Sequence, residues 1–230
     1  MSIDLLLIHP PVVRPSEPPL ATAILAGHLA RAGVRVETLD LNVELFDILL
    51  GPGPEDLPEG DAFSRRALRH RAASLALLRS PRATHDPARY RSAISHLGRL
   101  LWLRTDREDG LRITLTDCHH PRLSPLRSRD LVAAAAAPEP RGPEEHMARV
   151  ILDRIRRDSP RWVGLSMNYL SQVLPTMAIV GLLRRCCPGL PVVVGGSMVT
   201  AWAPRIRENP GLRALVDQWI PGPGEEPLAR

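Results

Sequence analysis

Hydrophobic and polar positions along this chain alternate between short apolar runs and stripes at helical spacing. Ile3-Asp4-Leu5-Leu6-Leu7-Ile8 is nearly continuous, and Pro191-Val192-Val193-Val194 is β-branched without polar alternation, as expected of parallel strands covered by helices on both faces. Trp162-Val163-Gly164-Leu165-Ser166 reads the same way, Val34 to Asp40 alternates as a second strand, and Leu215 to Ile220 makes a last one. Between them, Leu20 to Ala32 sets Ala21, Leu25 and Leu29 on one helical face, and Gly33 supplies a left-handed stop. After Ser166, Leu174, Met177, Ala178, Gly181 and Leu182 recur at the i, i+3, i+4, i+7, i+8 spacing of one buried face. Asn42 to Leu50 and the stretch through Trp202 to Glu208 read as further helices.

Each strand-helix-strand step returns the chain to the amino edge of a parallel sheet, so the loops that follow the strands share its carboxyl edge, where open α/β folds hold ligands. The expected fold is a doubly wound, Rossmann-like α/β domain with a five-stranded, mainly parallel core. Its rhythm lapses at about 51–143, between the second and third core strands. Gly51 to Gly60 reads as loop, Asp61 to Arg79 and Pro87 to Arg104 as arginine-rich amphipathic helices. Leu111 to Thr116 alternates as a strand that either joins the sheet edge or stands in the insertion. Asp117 to Ser128 follows as loop, and Ser128 or Asp130 caps a helix through Ala133 to Ala137. This block is expected to be an insertion or lid on the carboxyl edge of a single domain spanning 1–230, and Pro143 to Asp158 is the helix that leads back to the sheet.

At 230 residues and 44% hydrophobic content the chain can bury a full core. No apolar run approaches the roughly 20 residues of a membrane span, and no basic leader precedes a cleavage site, so a cytoplasmic protein with no membrane partner is expected. Cys118, Cys186 and Cys187 are too few and too poorly spaced for a disulfide framework. All 30 basic side chains are arginine, and with 25 acids they leave a net charge of +5. Their scatter among acids, with only two Phe and two Tyr for stacking, argues against a nucleic-acid partner. Cys118-His119-His120 cannot converge on one tetrahedral ion from an extended loop, so no metal ligand is assigned. Ser166 lacks a Gly-x-Ser-x-Gly elbow, and no phosphate-cradling glycine pattern follows the first strand, so no catalytic residue is assigned either.

Three loops carry the remaining chemistry: Ile8-His9-Pro10-Pro11 with Glu17-Pro18-Pro19-Leu20, then Val163 through Gln172, then Val194-Gly195-Gly196-Ser197-Met198-Val199-Thr200. In order and separation they resemble the N-terminal cobalamin-binding domain of the cobalamin-dependent radical S-adenosylmethionine enzymes. Gly222-Pro223-Gly224-Glu225-Glu226 resembles that family's Gly-Glu-Gly-Glu signature, with Pro223 in place of its first Glu, and His9 stands where the family usually has Asn. The resemblance covers essentially the whole chain. The family's catalytic half, with its Cys-x-x-x-Cys-x-x-Cys motif, is missing, which leaves a standalone carrier or a truncated product of a longer gene.

The resemblance implies a cobalamin bound base-off, without histidine ligation and without an iron–sulfur cluster on this chain. It assigns the cofactor to Pro10, Pro11, Ser166, Asn168, Tyr169, Leu170, Ser171 and Gln172, to Gly195, Gly196, Ser197, Val199 and Thr200, and to Gly222, Gly224 and Glu225. It implies the carrier part of a methyltransferase-type system, not catalytic alone, with a separate radical S-adenosylmethionine protein as partner. Read physically, a corrin is a wide, amide-fringed disc. Gly195-Gly196-Ser197 and Gly222 to Gly224 allow close backbone approach to it, while Ser166, Asn168, Ser171 and Gln172 offer partners to a nucleotide tail. His9 lacks the Asp-x-His-x-x-Gly context of cobalt-ligating histidines and reads as structural or solvent-facing. The alternatives are that Gly-Gly is only a tight strand-to-helix turn and that the chain is a cofactor-free α/β interaction or remnant module.

Overall fold

A computed structural model describes residues 2–52, 61–105, 111–137, 140 and 143–229; most of the loop expected at Gly51 to Gly60 lies outside them. The strands are β1 (Leu5–His9), β2 (Val36–Asp40), β3 (Arg112–Ile113), β4 (Cys118–His119), β5 (Trp162–Ser166), β6 (Val192–Gly195) and β7 (Gln218–Ile220). The first helices are α1 (Leu20–Arg31), α2 (Leu41–Leu50), α3 (Ala62–Leu78), α4 (Pro87–Thr105) and α5 (Ser128–Ala135). They are followed by α6 (Pro143–Asp158), α7 (Val173–Cys186), α8 (Ser197–Glu208), α9 (Pro210–Arg213) and α10 (Glu225–Ala229). No described helix is long and apolar enough to cross a membrane. The chain divides into two compact units, Met1–Leu45 with Arg122–Arg230, and Phe46–Pro121.

The first unit is a doubly wound α/β layer structure. Its five strands run in the order β2-β1-β5-β6-β7, every neighbouring pair parallel. Taken alone in chain order these strands read 2-1-3-4-5, with the direction of winding reversing between β1 and β5, and such a reversal opens a crevice at the carboxyl edge. The apolar runs form the strands because both faces are covered. All five residues of β1 are buried, as are Val163, Leu165, Val192, Val193 and Val194, each such aliphatic side chain contributing about 2 kcal/mol of transfer free energy. Helix α7 is buried along most of its length, from Val173 to Leu183. On the opposite sheet face, α1 and α10 bring Leu25 and Leu228 against a cluster of Leu5, Leu7 and Leu29.

The second unit holds α3 and α4 as a helical hairpin joined through a 3₁₀ turn at Pro81–Thr84, together with the antiparallel β3–β4 pair. Asp61 caps α3 by accepting from the Phe63 and Ser64 amides, which satisfies two of the helix's unpaired donors. Ala67, Leu97, Leu100 and Leu101 are buried in this unit.

Three local features differ from the sequence pattern. The strand expected over Leu111 to Thr116 is only β3 and pairs with β4, inside the expected loop, rather than with the sheet. Thr114 is the reason, since its hydroxyl accepts the Thr116 and Asp117 amides and folds the chain back. The last strand begins at Gln218, because Asp217 spends its carboxylate on the Val192 amide at 2.7 Å and Leu215 closes a turn onto Leu212. Ahead of it stands α9, which the pattern does not suggest; Asn209 caps it and Pro210 opens it.

Candidate functional site

Register brings the loops together. Ser166 lies directly beside Gly195, and Gly195 beside Ile220, so the ends of β5, β6 and β7 sit at one level of the carboxyl edge. The polypeptide then fastens the loops to one another. Gln172, fully buried, donates from Nε2 to the Pro10 carbonyl at 2.6 Å and accepts the Asn168 and Tyr169 amides at its Oε1 at 2.8 and 3.1 Å. Ser171 Oγ donates to the Val12 carbonyl at 2.7 Å. These bonds tie the loop after β5 to the proline-rich loop after β1.

Asn168 performs the same service toward β6. Its Nδ2 donates to Ser166 Oγ at 2.9 Å, its Oδ1 accepts the Ser197 amide at 3.1 Å, and its carbonyl accepts Ser197 Oγ at 2.6 Å. Gly196 is required at this corner. Its φ is +110°, and a Cβ there would stand 2.4 Å from the Met167 carbonyl oxygen and 2.8 Å from Asn168 Oδ1. Thr200 Oγ1 continues the network, donating to the Gly196 carbonyl and accepting the Gly222 amide at 2.8 Å.

Beneath these loops a groove of about 640 Å³ runs along the α1 face of the sheet. Pleat alternation and register put Leu7, Gly164, Val193 and Ile220 on that face. Gly164 keeps it open. A Cβ there would come within 2.8 Å of Leu7 Cδ2, so any side chain would fill the space over β5. Ile24, 51% exposed, and Leu25 form the wall from α1, and Leu228 closes one end from α10.

Of the residues singled out from the sequence, Ser166, Asn168, Gly195, Gly196, Ser197 and Thr200 line the groove, as do Gly222, Gly224 and Glu225 from the loop after β7. Pro10, Pro11, Ser171 and Gln172 lie behind them and act as fasteners or packing, while Val199 is buried and Tyr169 and Leu170 are exposed. Leu7, Ile24, Leu25 and Gly164 were not singled out. A glycine in the buried part of a strand, with Val163 and Leu165 beside it, is the signal that would have found the groove, since it marks a place of close approach.

The histidine at the end of β1 and the three cysteines bear on ligation. His9, at the end of β1, is 4% exposed and its Nε2 has no hydrogen-bond partner among the described residues; burial lowers its pKa while Asp40 beside it opposes the shift. It does not line the groove. Cys118 belongs to the other unit, its thiol pushed up to about 12 by burial and then by Asp117. Cys186 and Cys187 end α7, and Cys187 sits with Ser159, Arg161 and Pro191 at the amino edge, away from the carboxyl-edge loops.

Comparison with known proteins adds no assignment, since no family model, no curated protein and no solved structure matches this chain.

Proposed function

We propose that this chain binds cobalamin and is the carrier part of a radical S-adenosylmethionine methyl-transfer system. The observation that carries the reading is the apolar, glycine-lined groove at the carboxyl edge of a 2-1-3-4-5 sheet. A volume of about 640 Å³ suits a flat aromatic base with its ribose but not a whole corrinoid. The nucleotide tail is therefore the part that enters, with the corrin on the rim above. Gly164, Gly195 and Val193 would hold the flat base, and the Ser166 hydroxyl, which accepts from Asn168 and so keeps its own proton to donate, would meet the polar tail. The Gly196 and Gly224 amides and the Gly222 carbonyl, which the Thr200 and Leu228 bonds leave unused, would meet the amide fringe of the disc.

When bound, the cofactor supplies a methyl-carrying cobalt of the kind found in the family that the sequence resembles. This chain's own contribution is placement. The Gln172 and Asn168 networks fix the loops before any ligand arrives, so little ordering entropy opposes binding, and Ile24 and Leu25 keep water from one flank of the groove. His9 is buried and outside the groove, which favours base-off binding without histidine. Catalysis belongs to a separate radical S-adenosylmethionine partner, and the cytoplasm is the proposed setting.

A second reading, a cofactor-free interaction module, draws support from the same network. Asn168, Gln172 and Ser197 already bond to the chain's own backbone, so the loops close without a ligand. The two readings separate on one experiment. Protein mixed with hydroxocobalamin and desalted should retain the corrin spectrum, and Gly195→Trp should lose it; a colourless wild-type protein would favour the interaction module.

A further inference from the structure

The α3–α4 hairpin carries an electrostatic feature that a cobalamin domain does not need. Residues 61–105 contain ten arginines and only two aspartates. Both aspartates are taken, Asp61 by Arg99 and Asp86 by Arg89. Arg65, Arg66, Arg69, Arg82 and Arg91 have no counter-ion among the described residues.

Two of these five converge. Arg66 from α3 and Arg91 from α4 border one hollow of about 410 Å³, together with Phe63, Ser92, Ser95 and His96. Helical spacing produces the cluster: Phe63 and Arg66 are i, i+3 on α3, and Ser92, Ser95 and His96 are i, i+3, i+4 on α4. His96 is held in place by stacking on His70, with ring centroids 5.3 Å apart, and by Ser74 Oγ 3.2 Å from its Nδ1. That leaves Nε2 as the ring's second hydrogen-bonding atom. Burial first, then His70 and Arg66, lower its pKa, in keeping with a local excess of positive charge.

We propose that this hollow is a second binding site, for a small organic phosphate of about the size of a nucleoside monophosphate. Two guanidinium groups without a carboxylate match a dianion better than a single carboxylate ligand, because each can present a pair of N–H donors to tetrahedral oxygens. Ser92 and Ser95 add hydroxyl donors, and the neutral imidazole adds a hydrogen bond without charge. Phe63, 47% exposed, gives the organic part a ring face. The volume lies within the range of small-ligand sites. This site belongs wholly to the Phe46–Pro121 unit and does not depend on cobalamin binding.

The test is calorimetric titration of the full chain at low ionic strength with inorganic phosphate, AMP, adenosine and a single-stranded oligonucleotide. AMP is expected to bind with a submillimolar Kd, about tenfold tighter than phosphate, and adenosine not to bind. Arg66→Gln and Arg91→Gln should each weaken AMP about tenfold or more, and Ser95→Asp should abolish binding by placing a like charge in the hollow. Arg65→Gln and Arg69→Gln, equally exposed but outside the hollow, should leave it within about twofold. Equal losses from all four arginine changes, phosphate binding as tight as AMP, or no AMP binding at about 10 mM would each overturn the proposal. So would an oligonucleotide that binds and is weakened alike by every arginine change, since that marks diffuse backbone attraction rather than a built site.

Discussion

The carboxyl edge of the sheet and the surface of the α3–α4 hairpin solve opposite physical problems. At the sheet edge, nearly every polar side chain that could greet a ligand is spent on the chain itself: Gln172 on Pro10, Asn168 on Ser197, Thr200 on Gly222. What remains for a ligand is shape, backbone and apolar wall. On the hairpin, geometry is ordinary and charge is left over, with Arg66 and Arg91 bordering one hollow that no acid among the described residues lines. The first surface is organised before binding; the second waits for a counter-charge. A rigid, largely apolar groove selects by fit, and its failure should appear as misfolding or lost occupancy. An arginine cluster selects by charge, and its failure should appear as salt dependence with the fold intact.

The largest expected effect breaks the first surface. Gly196→Ala forces a Cβ to 2.4 Å from the Met167 carbonyl at a φ of +110°, and should cost on the order of 3 kcal/mol in urea unfolding. Arg66→Ala, on an exposed hairpin position, should stay within about 0.5 kcal/mol of wild type. Equal costs would erase the distinction between a strained, organised edge and a solvated charged face.

A smaller effect sharpens the hairpin side. The Ser64 hydroxyl and amide, then Arg99, hold the Asp61 carboxyl well below its ordinary value of 3.8. A folded pKa below the unfolded one means that the contribution is present above about pH 4 and is lost as pH falls toward the folded value. Asp61→Asn keeps an N-cap acceptor but removes the charge. Its urea midpoint should therefore lie below that of wild type at pH 7, and the gap should close as pH is lowered through about 4 and beyond. A gap that stays constant with pH would show that the charge of Asp61 contributes nothing.

The sheet was legible in the sequence because parallel strands buried on both faces carry their own signal: Leu5 to Ile8 and Val192 to Val194 leave no polar alternation to read otherwise. Helices α1, α3, α4 and α7 were legible through spacing, with Gly33 marking the end of α1 and Asp61 the start of α3. The β3–β4 pair and α9 were not, since each depends on one side chain, Thr114 or Asn209, turning back on the backbone. Helix α10 was illegible for another reason. Its five residues gain their place from Leu228 against Leu5, Leu7 and Leu29, a contact that spans the chain. At the site, the glycine loops could be read directly. The groove could not, because it is formed by an absence at Gly164 seen only against Leu7 and α1. The fastening role of Gln172 was equally hidden, since an amide offered to a ligand and an amide spent on Pro10 look the same in sequence.

The central claim is that the groove takes the nucleotide tail of a corrinoid, and the most direct measurement compares cobalamin with cobinamide, which lacks that tail. Absorbance titration of the full chain should show cobalamin bound at least about tenfold more tightly than cobinamide, a difference of about 1.4 kcal/mol. Gly164→Leu, which fills the groove, should reduce cobalamin to the level of cobinamide while the protein stays folded by circular dichroism. Equal binding of the two by wild-type protein, or binding of neither, would contradict the account.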